Sequence, residues 1–145
     1  MPIVHLIRHA KATGRDDWPG DDRERPLSPR GYRQAELLAE AYEDPTPGRV
    51  LCSPARRCIE TVTPLADRFG MTLDVEDWCF EGRRLVLPQD TSTLVLCAHG
   101  DNIPDLLGRL QLQWYKCAQA STWRLEFDDA WAVAGSAYIE PPDKS

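Results

Sequence analysis

This chain predicts a single-domain α/β fold, with a central, mostly parallel sheet flanked by helices, and three observations carry that reading. Short apolar runs at residues 3–7, 50–52 and 93–98 have the composition of buried strands. Helix-start signals follow them, at Ser28-Pro29, Ser53-Pro54 and Asn102, and strands that alternate with helices pair in parallel because the crossover needs a helix's length of chain. The sequence runs 145 residues without a repeat, linker or shift in composition, the size of one domain around one core.

The elements follow in order. After the first strand, residues 11–27 are polar and hold Gly14, Pro19, Gly20 and Pro26, which predicts a long loop of the kind that is often functional. Ser28 then serves as N-cap and Pro29 as first-turn residue of a helix. Its apolar stripe is Ala35, Leu38 and Tyr42, broadened by Leu37 and Ala41, and Pro45-Thr46-Pro47-Gly48 ends it. The strand at 50–52 leads to Ser53-Pro54, read as a second cap with a first-turn proline, and to a helix reaching about Phe69. Pro64 predicts a kink or break near Thr63, and Gly70 closes the helix. Residues 72–75 alternate in strand fashion, while 82–92 receive no assignment. Residues 93–98 form the most strand-like stretch and end at His99-Gly100. A helix follows from about Ile103 to Leu110 with Asn102 as its cap. Strands at 122–127 and 132–139 flank Asp128-Asp129 and predict a C-terminal hairpin, with a tail from Pro141-Pro142.

Composition narrows the function. The net charge of −6 argues against binding a nucleic acid polymer, yet leaves room for a local arginine cluster that takes an anionic substrate. No apolar stretch approaches the roughly 20 residues needed to span a bilayer, and no secretion signal is evident. The five cysteines, Cys52, Cys58, Cys79, Cys97 and Cys117, are odd in number and form no Cys-x-x-Cys pair. Reduced thiols in a cytoplasmic protein are therefore expected, with Cys52 and Cys97 as packing residues. Nothing in the sequence specifies an oligomeric state.

Three strand ends carry chemistry: Arg8-His9, the stretch from Ser53 to Arg57, and His99-Gly100. Parallel strands gather their C-terminal ends along one edge, so these groups are expected to converge. Arginine offers a planar fork to phosphate oxygens, and histidine can act as a nucleophile. Neighbouring positive charge keeps His9 neutral and available for attack. The expected reaction passes a phosphoryl group to His9 and then to water, with Arg8, Arg57 and His99 holding the equatorial oxygens and neither metal nor cofactor required. Glu81, between Phe80 and Gly82 and close to Trp78, is the expected general acid, its pKa raised by the aromatic neighbours; an ordinary loop carboxylate is the bland alternative. Arg25 can pair with Asp21, Asp22 or Glu24. Lys11 either reaches a phosphate or is solvated. Trp18 is a pocket-lining candidate from the long loop, and His5 reads as a packing residue.

These residues resemble the histidine phosphatase superfamily, the group containing phosphoglycerate mutases and SixA-type phosphohistidine phosphatases. The matching pieces are Leu6-Ile7-Arg8-His9-Ala10, Arg25-Pro26-Leu27-Ser28 with Gly31 and Gln34-Ala35, the run from Ser53 to Thr61, and Leu96-Cys97-Ala98-His99-Gly100. They span roughly residues 3 to 107. The resemblance implies a phosphoglycerate mutase-like fold, His9 as nucleophile, a phosphate pocket of Arg8, Arg57 and His99, and Arg25 as a substrate contact. Its serine, arginine, threonine pattern selects Ser53, Arg57 and Thr61, leaving Arg56 as a solvent-facing neighbour or helper. Two subgroups look closest. The small SixA-like enzymes would imply a phosphohistidine protein as substrate. The phosphatase-like domain fused to some actinobacterial Nudix hydrolases has similar Gly-Asp-Asp, Arg-Arg-Cys-x-x-Thr and Gly-x-x-Ile-Pro-Asp-Leu stretches, and would imply a nucleotide or another small phosphate ester. The short stretch between Glu81 and Thr93 implies an open site, and SixA-like members can work without the acid.

The expected function is thus a metal-independent phosphatase that hydrolyses a phosphomonoester or protein phosphohistidine through a covalent intermediate on His9. The alternative is a non-catalytic phosphate-binding module that recognises a phosphorylated ligand or partner. A metal-dependent hydrolase fits poorly, because His5, His9 and His99 are the only histidines and no His-x-His or Glu-x-x-His cluster is present.

Overall fold

The computed structural model describes residues 1–144. Six strands, β1 (Ile3–Arg8), β2 (Arg49–Cys52), β3 (Asp74–Val75), β4 (Thr93–Ala98), β5 (Thr122–Phe127) and β6 (Val133–Ile139), form one sheet in the order β3-β2-β4-β1-β5-β6. The first four are parallel, and β5 and β6 add an antiparallel hairpin beside β1. The fold is a single α/β domain of the kind the sequence predicts.

Strand composition follows position in the sheet. Every residue of central β4 is buried, which is why it reads as a continuous apolar run rather than an alternating one. Val4 and Leu6 face one side with Leu94, Leu96 and Ala98, against helix α3 (Asn102–Arg109) through Ile103, Leu106 and Leu107. Ile7, Val95 and Cys97 face the other side with Val50 and Cys52, against α1 (Pro29–Ala41) and α2 (Arg56–Arg68) through Ala39, Cys58, Val62 and Leu65. Each fully buried Leu or Val contributes about 1.5–3 kcal/mol, so this two-sided core anchors the strand ends firmly. All five cysteines are free thiols, and Cys52 and Cys97 pack in the core as expected.

Helix α1 starts where the sequence predicts: Ser28 Oγ accepts from the Gly31 N–H at 3.1 Å, with Pro29 in the first turn. Gly31 lies so close to the chain after β1 that a Cβ there would stand 2.0 Å from the Lys11 carbonyl oxygen. Of the predicted stripe, Ala35 and Tyr42 are buried, whereas Ala41 is exposed and ends the helix. The long loop is less irregular than expected. It contains 3₁₀ turns at Arg15–Asp17 and Asp22–Glu24, and an antiparallel bridge between Ala12 and Leu27 closes it.

Three local expectations are corrected. Ser53 does not cap α2, which begins at Arg56 after Ala55; its hydroxyl is taken by a side chain of the site instead. Pro64 does not break α2. It forfeits one backbone bond, the Thr61 and Thr63 hydroxyls donate to the carbonyls of Arg57 and Ile59 at 2.6 and 2.7 Å, and burial of Val62, Leu65 and Ala66 holds the helix together. Asn102 is the first residue of α3 rather than its cap, which is Asp101. The strand expected at 72–75 is only two residues long, the hairpin forms as predicted, and residues 82–92 have no regular structure but bury Leu85.

Candidate active site

The parallel pairing of β1 with β4 places Arg8 opposite Ala98, so His9 and His99 leave the sheet side by side, their ring centroids 5.6 Å apart. Arg57 enters from the first turn of α2. His9 and Arg57 meet at a cavity of about 390 Å³ lined by Arg8, His9, Arg25, Arg57 and Glu81, with Arg15, Gly100, Asp101 and Gln119, while His99 lies buried behind His9 rather than on its wall. Both histidines and Arg57 are buried, Arg57 to 1 % exposure.

The His9 ring is fixed from behind. Its Nδ1 lies 2.8 Å from the Ala10 carbonyl oxygen, an acceptor only, which assigns the proton to Nδ1 and leaves the Nε2 lone pair unprotonated. The pKa of His9 falls to about 3. Burial is the main cause. The Ala10 bond opposes it, and His99, Arg57 and Arg8 push it lower. Positive neighbours thus act as expected but are secondary to desolvation. Thr61, one turn after Arg57, accepts the Ala10 N–H at 2.9 Å and donates to the Arg57 carbonyl, tying the His9 loop to α2.

His99 is held as tightly. Its Nε2 lies 2.9 Å from Ser53 Oγ, and that hydroxyl accepts the Ala55 N–H at 3.2 Å. Ser53 can donate to Nε2, and in that tautomer the ring proton is on Nδ1. Asn102 accepts the His99 N–H and donates to the carbonyls of Cys79 and Phe80, and the Phe80 ring meets His99 edge-on. Ser53 is thus drawn away from capping by a histidine distant in sequence, and Asn102 by the backbone of His99 and the distant carbonyls of Cys79 and Phe80.

Arg8 donates to the Cys117 carbonyl at 2.7 Å and packs on Gly100, where a Cβ would lie 2.7 Å from its Cζ. Only glycine leaves room there. Three buried nitrogens at this edge, Arg8 Nε, Arg57 Nε and His99 Nδ1, have no hydrogen-bond partner. Unmatched buried donors are costly in a folded protein; here they belong to the three groups that the sequence nominates to grip phosphate.

Asp22 organises the outer arginines. Its backbone carbonyl accepts from Arg57 at 2.9 Å, and its carboxylate lies 3.3 Å from the Arg57 guanidinium and accepts from Arg25 Nε at 2.9 Å. Partial burial works to raise the Asp22 pKa, but the Arg25 hydrogen bond and the charges of Arg57, Arg25 and Arg15 prevail and hold it below the ordinary value. Arg25 also donates to the Thr13 carbonyl, so it both lines the cavity and braces the loop. Glu81 Oε1 lies 3.8 Å from both Arg57 and Arg15. The aromatic wall expected around it is absent: Trp78 packs against the core and Phe80 lies against His99 and under Arg23. Lys11 lies outside this cavity, exposed, in a neighbouring one. Trp18 bonds to the Asp21 carbonyl rather than lining the site, and Arg56 is exposed and paired with Glu60.

The sequence did not single out Arg15, Asp101 or Gln119, which come from loops without periodicity. Asp22 had two signals, the Gly-Asp-Asp stretch and its expected pairing with Arg25, which the structure shows. Among the described residues no group of three His, Cys, Asp or Glu side chains could hold a metal ion, and no helix is long and apolar enough to cross a membrane.

Several known proteins are similar to this chain. The family model of the histidine phosphatase superfamily (branch 1) matches residues 4–79. The 8-oxo-(d)GTP phosphatase of Mycolicibacterium smegmatis is 29% identical over 97% of this chain and 49% of its own length, so the chain spans about half of that relative. The structure of protein histidine phosphatase SixA complexed with tungstate superposes with a TM-score of 0.80 at 16% identity, covering 96% of this chain and 97% of that one. The α-ribazole phosphatase of Shigella flexneri gives 0.73 at 14% identity, covering 99% and 98%. The chain belongs to the histidine phosphatase superfamily.

Proposed function

We propose that this member of the superfamily hydrolyses a phosphomonoester or a protein phosphohistidine, without metal, through a phosphohistidine intermediate on His9. The observation that carries the reading is the set of unpartnered buried donors, Arg8 Nε, Arg57 Nε and His99 Nδ1, around an imidazole with a free Nε2. The tungstate bound by SixA, a tetrahedral oxyanion, is consistent with such a ring of donors.

In the first step the Nε2 lone pair of His9 forms a bond to phosphorus as the bond from phosphorus to the leaving group breaks. Arg8, Arg57 and His99 hold the equatorial oxygens, in a site that needs little rearrangement as charge shifts. Glu81 gives its proton to the leaving oxygen. In the second step water gives a proton to Glu81 and its oxygen attacks phosphorus, the Nε2–P bond breaks, and phosphate and neutral His9 are released. A phosphohistidine leaving group would rely less on Glu81. Arg25 serves as a substrate contact at the cavity wall and braces Asp22.

The test is hydrolysis of p-nitrophenyl phosphate in EDTA by the native protein and by His9→Ala, with trapping of phosphorylated protein from a labelled substrate by an alkaline denaturing quench. Turnover in the native protein alone, with acid-labile label on His9, is the expected result. Equal turnover in both would remove His9 from the reaction. Phosphate binding without turnover on either an ester or a phosphohistidine peptide would make the domain a binding module.

A further inference from the structure

Beside the reaction cavity lies a second one of about 330 Å³, whose walls include Lys11, Arg30, Gln34, Pro141 and Lys144. Gln119 lines both, so the two stand on either side of one glutamine side chain. Three cations and no carboxylate line the second cavity. Arg30 is held by Asp143 at 2.8 Å and Lys144 by Glu140 at 3.0 Å, whereas Lys11 makes no ion pair among the described residues.

This wall is built rather than incidental. Gln34, 2 % exposed, accepts the Lys11 N–H through Oε1 at 2.9 Å and donates through Nε2 to Asp143 at 3.0 Å. One buried amide thus ties the C-terminal tail to the loop that leaves His9. The opposite flank differs. The cavity there, of about 370 Å³, holds Arg83, Arg84 and Arg109, but also Asp101 and Asp105, and Asp101 stands on the wall shared with the reaction cavity. A negative group extending that way meets a carboxylate. One extending toward Lys11 meets a neutral amide and then three cations, of which Arg30 and Lys144 are paired with carboxylates behind the wall and Lys11 is not.

We propose that the Lys11 cavity is a second anion subsite, and that the preferred substrate is a small molecule whose leaving group carries a second phosphate, seated on Lys11, Arg30 and Lys144 while His9 attacks the first. The reacting end of this inference rests on the phosphatase reading above; the anion subsite does not. The three cations are partly solvated, so together they favour a bisphosphate over the matching monophosphate by about tenfold in kcat/KM, an advantage that shrinks as salt is added.

The test compares short α,ω-alkanediol bisphosphates with monophosphates of the same chain length. It measures kcat/KM for the native protein, Lys11→Glu and Lys144→Glu, and calorimetric affinity for His9→Ala protein, which needs no turnover. The expected result is a bisphosphate preference of about tenfold that falls to parity in Lys11→Glu and weakens in Lys144→Glu. Equal handling of both esters by the native protein overturns the subsite. So does a preference that survives both charge reversals, or one lost only when Arg83 and Arg84 are reversed. If the ratio appears in calorimetry while the native protein turns over neither ester nor a phosphohistidine peptide, the subsite stands and the phosphatase reading fails.

Discussion

Strand β1 carries one buried histidine along its length and a second immediately beyond its end, and they sit in opposite surroundings. His5 faces Asp44, with Nε2 to Oδ2 at 2.7 Å, and Arg124 from the neighbouring strand bonds to the same carboxylate at 2.7 and 2.9 Å. His9 faces Arg8, Arg57 and His99, and its ring is anchored only by a backbone carbonyl. Burial lowers the pKa of both. At His5 the hydrogen bond and charge of Asp44 oppose that shift; at His9 the neighbouring side chains deepen it. Where a carboxylate closes the charge balance, the result is a structural ion pair between Asp44 and Arg124, to which His5 adds a hydrogen bond besides its packing. Where cations and unpartnered donors surround an imidazole, the balance is left for an incoming anion to complete.

Removing each histidine is the strongest way to break this contrast. His9→Ala is expected to lower kcat/KM on p-nitrophenyl phosphate by about 10³-fold or more, while His5→Ala leaves kcat/KM within about threefold, the natural scatter of a distant substitution. Comparable losses from both would erase the distinction.

Gly100→Ala sharpens it at the next level. The added Cβ must displace the Arg8 guanidinium, and an overpacked site costs about 1–3 kcal/mol. Activity is expected to fall by about tenfold or more, with binding of inorganic phosphate weakened in parallel in calorimetry.

On the structural side, Asp44→Ala is expected to lower unfolding free energy by about 2 kcal/mol, less than a fully buried pair because Asp44 and Arg124 keep some solvent contact. Urea denaturation measures this, and unchanged stability would show that the pair is idle.

The smallest effect is in pH dependence. A neutral His9 is the attacking form, and its folded pKa of about 3 lies below its unfolded value. The kcat/KM profile should therefore lack an acid limb near the ordinary histidine pKa of about 6.5. The sign for stability follows. Stability is full above that unfolded value and declines as pH falls toward 3, because only the unfolded chain takes up the proton. His9→Ala should flatten this decline in urea titrations. Asp44, held at about 2 chiefly by the Arg124 hydrogen bond, adds a separate loss only as pH falls through the carboxylate range to that value.

Most of this architecture is legible in the chain because its strands are buried on both faces, and a run such as Thr93-Leu94-Val95-Leu96-Cys97-Ala98 has few other interpretations. Strand ends then locate Arg8, His9 and His99 without further information. Legibility fails where a side chain serves a distant partner. Ser53 and Asn102 have the composition of helix caps, and each would cap in isolation, but His99 recruits Ser53 and the carbonyls of Cys79 and Phe80 recruit Asn102. Arg15 and Gln119 lie in aperiodic loops, where position is fixed by tertiary contacts alone. Lys11 follows His9 closely in sequence yet faces another cavity, because the chain turns to bridge Ala12 with Leu27.

The pairing of Arg8 with Ala98 has a numerical consequence. Side chains alternate along a strand, so moving β4 by one residue against β1 would turn each of its side chains to the other face and carry His99 away from His9. The spacing of the two histidines is therefore set by counting rather than by any single contact. The apolar residues of β4 can exchange among themselves without moving the pair, but one inserted or deleted residue between Thr93 and His99 cannot be absorbed. In this protein the reactive distance is stored as an integer.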